Sequence, residues 1–271
     1  MCLNAMAFQC SKKFPFVMIH NRDEFREREF EPSHFWPESP WVLGGKDRKS
    51  HGMWIGVTQQ GQFAALLNFR DPALVLPNAT SRGFIVKNFL AGQFKEAEFV
   101  TQISPLLSEL KPFNLLFGTF QAPYYFSSRS QRFQKLNPGY YGLSNALLDT
   151  PWPKVESAKK RLEEVLKADL SETSETLKAL FSILEDTTPA EPALLPSTGL
   201  SPQMEYELSP IFVNTPTYGT VTSTVILADA HGHVYYSEKV YRKTKVEMET
   251  QHDFQLQAPL SDAHAAEPLL W

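Results

Sequence analysis

The first twenty residues contain two largely apolar runs separated by a polar break. The apolar runs are residues 2–8 and 14–20, and the polar break is residues 9–13. Apolar runs of this length on either side of a short polar segment are typical of two buried strands joined by a turn. The pattern therefore predicts a β-hairpin at the start of the chain.

The register of this hairpin decides which residues lie beside Cys2. If Phe8 pairs with roughly Pro15, antiparallel pairing sets Cys2 opposite about Asn21. The polar tetrapeptide 21–24 (Asn-Arg-Asp-Glu) then lies within side-chain reach of Cys2.

The later chain alternates strand-like and helix-like segments. Strands are predicted at 54–57, 63–68, 113–118, 122–127, 131–136, 140–144, 222–228 and 234–241. Helices are predicted at 81–90, 96–110, 153–170 and 171–184, with Ser81, Ser171 and Ser174 as caps and Pro105 as a disturbance. The proline-rich segment 187–210 predicts a surface loop, and residues 258–271 a loose tail.

This order of elements favours antiparallel sheets flanked by helices over a doubly wound parallel sheet. The sequence shows neither a strand–helix–strand rhythm nor a glycine-rich phosphate loop. We therefore expect an α+β fold, with one domain over residues 1–257.

Composition narrows the functional classes. The 271 residues are 42% hydrophobic and 21% charged, with a formal net charge of −4. Basic residues are scattered, which argues against a nucleic-acid face. The chain has neither a signal-peptide pattern nor an apolar window of membrane-spanning length, so we expect a cytoplasmic protein without stable membrane insertion.

Cysteine and histidine usage indicates neither disulfides nor a metal centre. Cys2 and Cys10 do not have a zinc or redox-motif spacing. The seven histidines form no HExxH pattern, and His231 and His233 flank a glycine in a predicted surface turn. No metal site is predicted.

Cys2 is the main candidate for chemistry. Removal of Met1 would leave Cys2 with both a thiol and a free α-amine. An α-amine has an unperturbed pKa of about 7.7–8.0, so it can act as the general base for its own side chain. The alternative is that Cys2 is a small buried residue on the first strand.

Several blocks of sequence resemble one known family. The motif Asn21-Arg22-Asp23-Glu24 is accompanied, in order, by residues 54–57 (Trp-Ile-Gly-Val), 64–68 (Ala-Ala-Leu-Leu-Asn), 81–83, 113–115, 141–152 and 218–229. Together these resemble the NRDE family, of the transport and Golgi organisation 2 type. That family is similar to the N-terminal-nucleophile hydrolases of the choloylglycine hydrolase and penicillin acylase branch. The resemblance implies a four-layer αββα sandwich with two stacked antiparallel sheets.

The resemblance also implies roles for individual residues. Cys2 would be the nucleophile, and Asp23 would orient its freed amine. Asn68 and Asn145 match asparagines that donate to the oxyanion. The alternative for Asp23, Asn68 and Asn145 is a turn residue that forms local hydrogen bonds.

Asn21 and Arg22 are candidate substrate-binding residues. Asn21 would donate either to substrate or to the backbone, and Arg22 would either lower the pKa of the Cys2 thiol or pair with Asp23 or Glu24. His20 stands where the choloylglycine branch has an arginine. Val221 is a departure, since the family often has arginine after Tyr-Gly-Thr. This departure implies an altered substrate or the loss of hydrolase activity.

Two functions follow as expectations. The first is an amidohydrolase or acyltransferase that acts on a small amide or acyl substrate and requires no cofactor. The second is a non-catalytic protein that binds and carries haem, lipid or acyl-CoA, with His34, Phe35, Trp36 and Trp41 around an apolar groove. Core packing explains these aromatic residues equally well. A purely structural module is a third option, and the oligomeric state is left open.

Overall fold

The computed structural model describes residues 2–74, 76, 80–92 and 94–257. The strands in these ranges are β1 Cys2–Phe8, β2 Phe16–Phe25, β3 Phe30–Trp36, β4 Ser39–Asp47, β5 Ile55–Thr58, β6 Gln62–Asn68, β7 Phe113–Thr119, β8 Ala122–Ser127, β9 Arg132–Lys135, β10 Gly139–Leu143, β11 Tyr218–Ala228, β12 His233–Arg242 and β13 Lys245–Gln255. The helices are α1 Gly83–Gly92, α2 Glu96–Ile103, α3 Pro153–Lys167, α4 Thr173–Leu184 and α5 Pro202–Glu207, with short 3-10 turns at Ser104–Glu109 and Pro192–Leu194.

Internal contacts divide the described chain into two compact units. The first unit comprises residues 2–27, 70–73 and 137–253, and the second comprises the described residues of 28–69, 74–136 and 254–257. Each unit is built around one antiparallel sheet with flanking helices. The predicted α+β class with two antiparallel sheets is confirmed. The single-domain boundary at 1–257 and the four-layer stacking stay predictions, and the predicted tail at 258–271 lies outside the described residues.

The first unit contains a six-stranded sheet in the order β10-β1-β2-β11-β12-β13. Helices α3 and α4 pack on one face of this sheet. Their apolar stripes pack against every second residue of the central strands, as the alternation of a strand requires. The buried residues of this core include Leu3, Ala5, Val17, Ile19, Val155, Leu162, Leu180 and Val225.

The predicted hairpin of β1 and β2 forms, with a register one residue from the predicted one. Phe8 pairs with Phe16 and Cys2 pairs with Arg22. Because side chains alternate between faces, a shift of one residue exchanges the neighbours of Cys2. Arg22 therefore shares the face of Cys2, and Asn21 lies on the opposite, helix-covered face.

The second unit contains a seven-stranded sheet in which the strands are neighbours in chain order, from β3 to β9. Helix α1 packs against β4, β5 and β6. Its core is dominated by aromatic rings, for example Phe89 against Phe99 and Phe117 at centroid distances of 5.2 Å. Trp36 belongs to this core, and its indole donates to the Gly44 carbonyl at 3.0 Å. Of the two alternatives for Trp36, an apolar groove and core packing, core packing is therefore the one observed.

Some elements differ from the sequence-based expectations. Strands β3, β4 and β13 and helix α5 were not predicted. The second predicted helix ends at Ile103 and continues as a 3-10 turn from Ser104, next to Pro105. Ser171 and Ser174 are not the cap of α4, because Glu172 occupies that position without a side-chain hydrogen bond.

Candidate active site

The candidate site lies in the first unit, at the end of the sheet where β1 begins. Cys2 pairs with Arg22 on β2, and Arg22 pairs with Thr222 on β11. Directly paired residues of antiparallel strands share a face. The thiol, the guanidinium and the threonine hydroxyl therefore form one row across three strands.

The Cys2 thiol is buried at the start of β1. Cys2 is 7% exposed, and burial raises the pKa of its thiol. The negative charge of Asp23 also raises this pKa. The backbone N–H of Asp23, which donates to the sulfur, and the nearby Arg22 guanidinium act in the opposite direction. The Asp23 N–H and the Arg22 guanidinium thus stabilise the thiolate, whereas burial and the Asp23 charge favour the neutral thiol.

Asp23 is a buried carboxyl held by the neighbouring strand. Thr220 Oγ1 donates to Asp23 Oδ1 at 2.7 Å, and the Tyr218 hydroxyl donates to the Asp23 carbonyl at 2.8 Å. Burial raises the pKa of Asp23, while Lys154, the Thr220 hydrogen bond and Arg70 offset part of this rise. Asp23 follows Arg22, the residue that pairs with Cys2, and its predicted role at the Cys2 amine stays a prediction.

A β-bulge separates these contacts from the row of Cys2. Thr220 pairs with Asp23 and Thr222 pairs with Arg22, so Val221 is the extra residue on β11. A bulge re-aims the side chains on either side of it. Because of this bulge, Thr220 and Thr222 pair with two adjacent residues of β2, Asp23 and Arg22. Val221 itself is buried and apolar, so this position adds no charge to the site.

Lys154 is a site residue that the sequence reasoning missed. It lies in the first turn of α3, is buried, and donates to the Leu208 carbonyl at 3.0 Å. Burial lowers its pKa to about 8, and the charges of Asp23 and Cys2 oppose that change. A lysine in the first turn opposes the helix dipole, which was an available signal that it serves another purpose.

Arg70 was also missed, because its segment returns to the first unit from a distant part of the sequence. Its backbone N–H donates to the Asn145 carbonyl at 2.7 Å. Its guanidinium forms a buried ion pair with Glu205 and stacks over Trp152 at 4.7 Å. Thr198 N–H donates to the same Glu205 carboxylate at 3.0 Å. This network fixes the backbone that carries Asn145.

Asn145 follows β10 and is buried in the first unit, as is Cys2. Its neighbour Ser144 donates to the Cys2 carbonyl at 2.8 Å and lies 3.3 Å from Asn145 Oδ1. The backbone of Cys2 is thus tied to the segment of Asn145. Asn68 belongs to the second unit, where it ends β6 opposite Phe113. Its predicted role as an oxyanion donor stays a prediction.

Asn21 lies on the helix-covered face of the sheet, where its side chain forms three hydrogen bonds. Its amide donates to the carbonyls of Leu184 at 2.8 Å and Ile211 at 2.9 Å. Its oxygen accepts from Ser223 Oγ at 2.6 Å. Of the two alternatives for Asn21, donation to the backbone is the one observed, so its expected contact with substrate lacks support from this geometry.

Arg22 lies near both of the groups considered for it from the sequence, the Cys2 thiol and the Glu24 carboxylate, and its predicted role in substrate binding stays a prediction. Its Nη2 lies 3.7 Å from the carboxylate of Glu24, and its charge lowers the pKa of the Cys2 thiol. The Arg22 side chain is buried.

The part of the chain that the structure describes has neither a cluster of metal-ligating side chains nor a membrane-spanning helix. It holds no group of three or more histidine, cysteine, aspartate or glutamate residues arranged for a metal ion. None of its helices has the length and apolar character needed to cross a membrane.

The fold and site together define an antiparallel α+β protein with a buried thiol and carboxyl on adjacent central strands. A family model described as Transport and Golgi organisation 2 matches residues 1–243, and the chain belongs to this family. A Bos taurus homologue of transport and Golgi organization protein 2 is 34% identical over 265 residues, covering 90% of this chain and 94% of that protein. The Drosophila melanogaster protein is 24% identical over 268 residues, covering 88% and 94%.

Two hydrolases are among the solved structures that this chain resembles. A C2A mutant of conjugated bile acid hydrolase from Clostridium perfringens is 11% identical, with a TM-score of 0.46, covering 96% of this chain and 99% of that one. A Caenorhabditis elegans orthologue of N-acylethanolamine-hydrolyzing acid amidase is 11% identical, with a TM-score of 0.38, covering 83% and 92%. At this level of likeness neither structure informs the chemistry of this chain.

Proposed function

We propose that the protein is an N-terminal cysteine amidohydrolase or acyltransferase that forms an acyl-enzyme on Cys2. One observation carries the proposal: the backbone N–H of Asp23 donates to the Cys2 sulfur, and Thr220 Oγ1 donates to the carboxyl of the same Asp23 at 2.7 Å. A thiol that receives a fixed donor beside an oriented carboxyl has the geometry that an activated nucleophile needs.

The proposed reaction begins once Met1 has been removed. The freed α-amine of Cys2 takes the thiol proton, and the thiolate attacks the substrate carbonyl carbon. The carbon–nitrogen bond then breaks as the α-ammonium returns the proton to the leaving amine. Water or another acceptor releases the acyl group from the thioester. Asp23 orients the amine, and Arg22 and Lys154 favour the thiolate by their charge.

The oxyanion of the tetrahedral intermediate requires at least one fixed donor. Asn145 is the proposed donor from the first unit, because the Arg70 and Ser144 contacts hold its backbone. Asn68 is retained as the second proposed donor on the strength of the sequence resemblance.

The test uses the second cysteine as an internal control. Intact mass of the purified protein should show that Met1 is absent. Incubation with a hydrophobic β-lactone should add one acyl group to wild type and to Cys10→Ser, and none to Cys2→Ala. Acylation that persists in Cys2→Ala, or a protein that retains Met1, would remove this mechanism.

A second candidate function is a carrier of haem, lipid or acyl-CoA. The raised pKa of the Cys2 thiol and the apolar residue at Val221 favour it, since both reduce the reactivity of the site. Titration of haem at micromolar protein should then change the haem absorbance. An unchanged spectrum, together with acylation of Cys2, would leave the hydrolase as the better account. The family name denotes transport and Golgi organisation, and either activity is compatible with a role there.

A further inference from the structure

A second polar row lies directly behind the row of Cys2 on the same face of the first sheet. Asn4 pairs with His20 on β2, and His20 pairs with Thr224 on β11. Residues two apart along a strand share a face and are separated by about 7 Å. Asn4 and His20 therefore stand one step along the strands from Cys2 and Arg22.

Two side chains of this second row, Asn4 and His20, are sealed from solvent and lack hydrogen-bond partners among the described residues. Asn4 and His20 are each 0% exposed. Within the described residues, neither the amide of Asn4 nor either ring nitrogen of His20 has a hydrogen-bond partner, and the same holds for the Thr222 hydroxyl. An unsatisfied buried polar group typically costs about 1–3 kcal/mol. Such a cluster is what a site for a hydrogen-bonding group contains.

Exposure indicates the direction from which that group enters. Cys2 is 7% exposed, whereas Asn4 and His20 are fully enclosed. The open end of this face is therefore at the thiol, and the second row lies inward of it. A substrate whose carbonyl sits at Cys2 extends its acyl chain toward Asn4 and His20.

The side chains of Asn4 and His20 also indicate the charge of the ligand group that they would bind. An amide and a neutral imidazole each offer one kind of donor and one kind of acceptor. Burial, reinforced by the Arg22 charge, lowers the pKa of His20 to about 3, so the ring is neutral at physiological pH. The row of Asn4 and His20 itself contains no cation, and the neighbouring Arg22 guanidinium is paired with Glu24, so this row does not favour a carboxylate or a phosphate.

We propose that Asn4 and His20, with Thr222, form a subsite for an uncharged hydroxyl or primary amide carried on the acyl part of the substrate. The proposal rests on the function proposed above, because it places the reacting carbonyl at Cys2. It gives the substrate class as a polar-substituted acyl amide, in place of a plain alkyl amide.

The test measures binding, so that it does not depend on turnover. The probes are N-ethylhexanamide and its 3-, 4-, 5- and 6-hydroxy derivatives, titrated by ligand-observed NMR into the Cys2→Ala protein. One hydroxyl position in the distal half of the chain should bind about tenfold more tightly than the unsubstituted amide. Asn4→Leu and His20→Leu, each added to Cys2→Ala, should reduce that ratio to about one.

Met18→Leu is the matched control. Met18 lies on the same face of β2, one row further inward, and is fully buried. A volume-conserving exchange there should leave the hydroxyl preference intact. Melting temperatures of Asn4→Leu and His20→Leu should equal or exceed that of the parent, since each replaces an unsatisfied polar group by an apolar one.

The outcomes separate this inference from the proposed function. A hydroxyl preference without Cys2 acylation supports the subsite and removes the hydrolase. Acylation of Cys2 with equal binding of all five amides overturns the subsite and leaves the hydrolase standing. A preference that survives both Leu variants, or amides that do not bind, also overturns the subsite.

Discussion

Thr220 donates its hydroxyl hydrogen to Asp23 across the β11–β2 ladder, with 2.7 Å between the two oxygens. The same hydroxyl oxygen accepts from the Val213 N–H at 2.9 Å. One small side chain thus joins the candidate catalytic carboxyl to the loop before β11. The bulge at Val221 makes this pairing compatible with that of Arg22 and Thr222.

Thr220→Val should weaken both the fold and the site. Valine has a similar shape and neither donates nor accepts, so the free energy of unfolding should fall by about 2 kcal/mol. The pKa of Asp23 should rise further, because the Thr220 bond lowers it. Carboxyl-detected NMR of labelled aspartate and denaturant unfolding measure the two effects. Thr220→Ser retains the hydroxyl and should preserve the Asp23 titration. An equal change in both variants would show that the hydroxyl is not responsible.

Asn21→Ala should destabilise the first unit more than it changes the chemistry of Cys2. The substitution leaves the Leu184 and Ile211 carbonyls and the Ser223 hydroxyl without their bonds to this amide. We expect a loss of about 3 kcal/mol in the free energy of unfolding. Ser223→Ala removes one of these bonds and should cost about 1 kcal/mol. In conditions where Asn21→Ala is folded, its rate of Cys2 acylation should stay within a factor of about three of wild type. A folded variant with greatly reduced acylation would return Asn21 to the site.

His20 should make the fold sensitive to mild acid. Its pKa is about 3 in the folded protein and 6.5 in an unperturbed histidine, so between these values the unfolded chain binds the extra proton. Stability attributable to the neutral ring is therefore full above pH 6.5 and is lost as pH falls toward 3, by an amount on the order of 4 kcal/mol. Unfolding measured from pH 7 to 4 should show a flatter profile for His20→Leu than for wild type. His51→Gln, at an exposed position, should follow wild type. A wild-type slope in His20→Leu would assign the acid sensitivity to other groups.

Lys154 should make the free energy of unfolding rise with pH in mild alkali. Its folded pKa of about 8 lies below the unperturbed 10.5, so between these values the unfolded chain again holds more protons. Stability should therefore rise from pH 8 to 10.5, by an amount on the order of 3 kcal/mol relative to Lys154→Met. Denaturant titrations at pH 7.5, 9 and 10 test this difference. Lys160→Met provides the control, because Lys160 is exposed on the same helix. Parallel profiles for wild type and Lys154→Met would contradict the buried position of this amine.

The local apolar pattern predicted the hairpin that carries Cys2, because two apolar runs on either side of a polar turn are compatible with few other structures. It did not predict the register. Gln9 adopts a positive φ of 53° and its N–H bonds to the Pro15 carbonyl, so that Phe8 pairs with Phe16. The geometry of a turn depends on such backbone choices, which apolar periodicity does not contain.

The charged part of the site was missed for a different reason. Lys154 and Arg70 approach Asp23 from segments more than forty residues away in sequence. Arg70 has no local pattern that distinguishes it from a solvated charge, and the one local signal of Lys154, its place in the first turn of a helix, does not identify Asp23 as its neighbour. Strand β3 was missed because Glu31, Pro32 and His34 interrupt its apolar pattern. The predicted caps at Ser171 and Ser174 were wrong because α4 is stabilised by its packing against α3, β2 and β11 and forms without a side-chain cap.

The strand orders of the two sheets imply a sequence of events during synthesis on the ribosome. Strands β3 to β9 pair only with their neighbours in the chain, so the second sheet can assemble as it emerges. The hairpin of β1 and β2 must wait for β10 and β11, which complete the sheet on either side of it. The thiol of Cys2 is therefore exposed to solvent during most of translation, and it becomes buried only when the last third of the protein has been made.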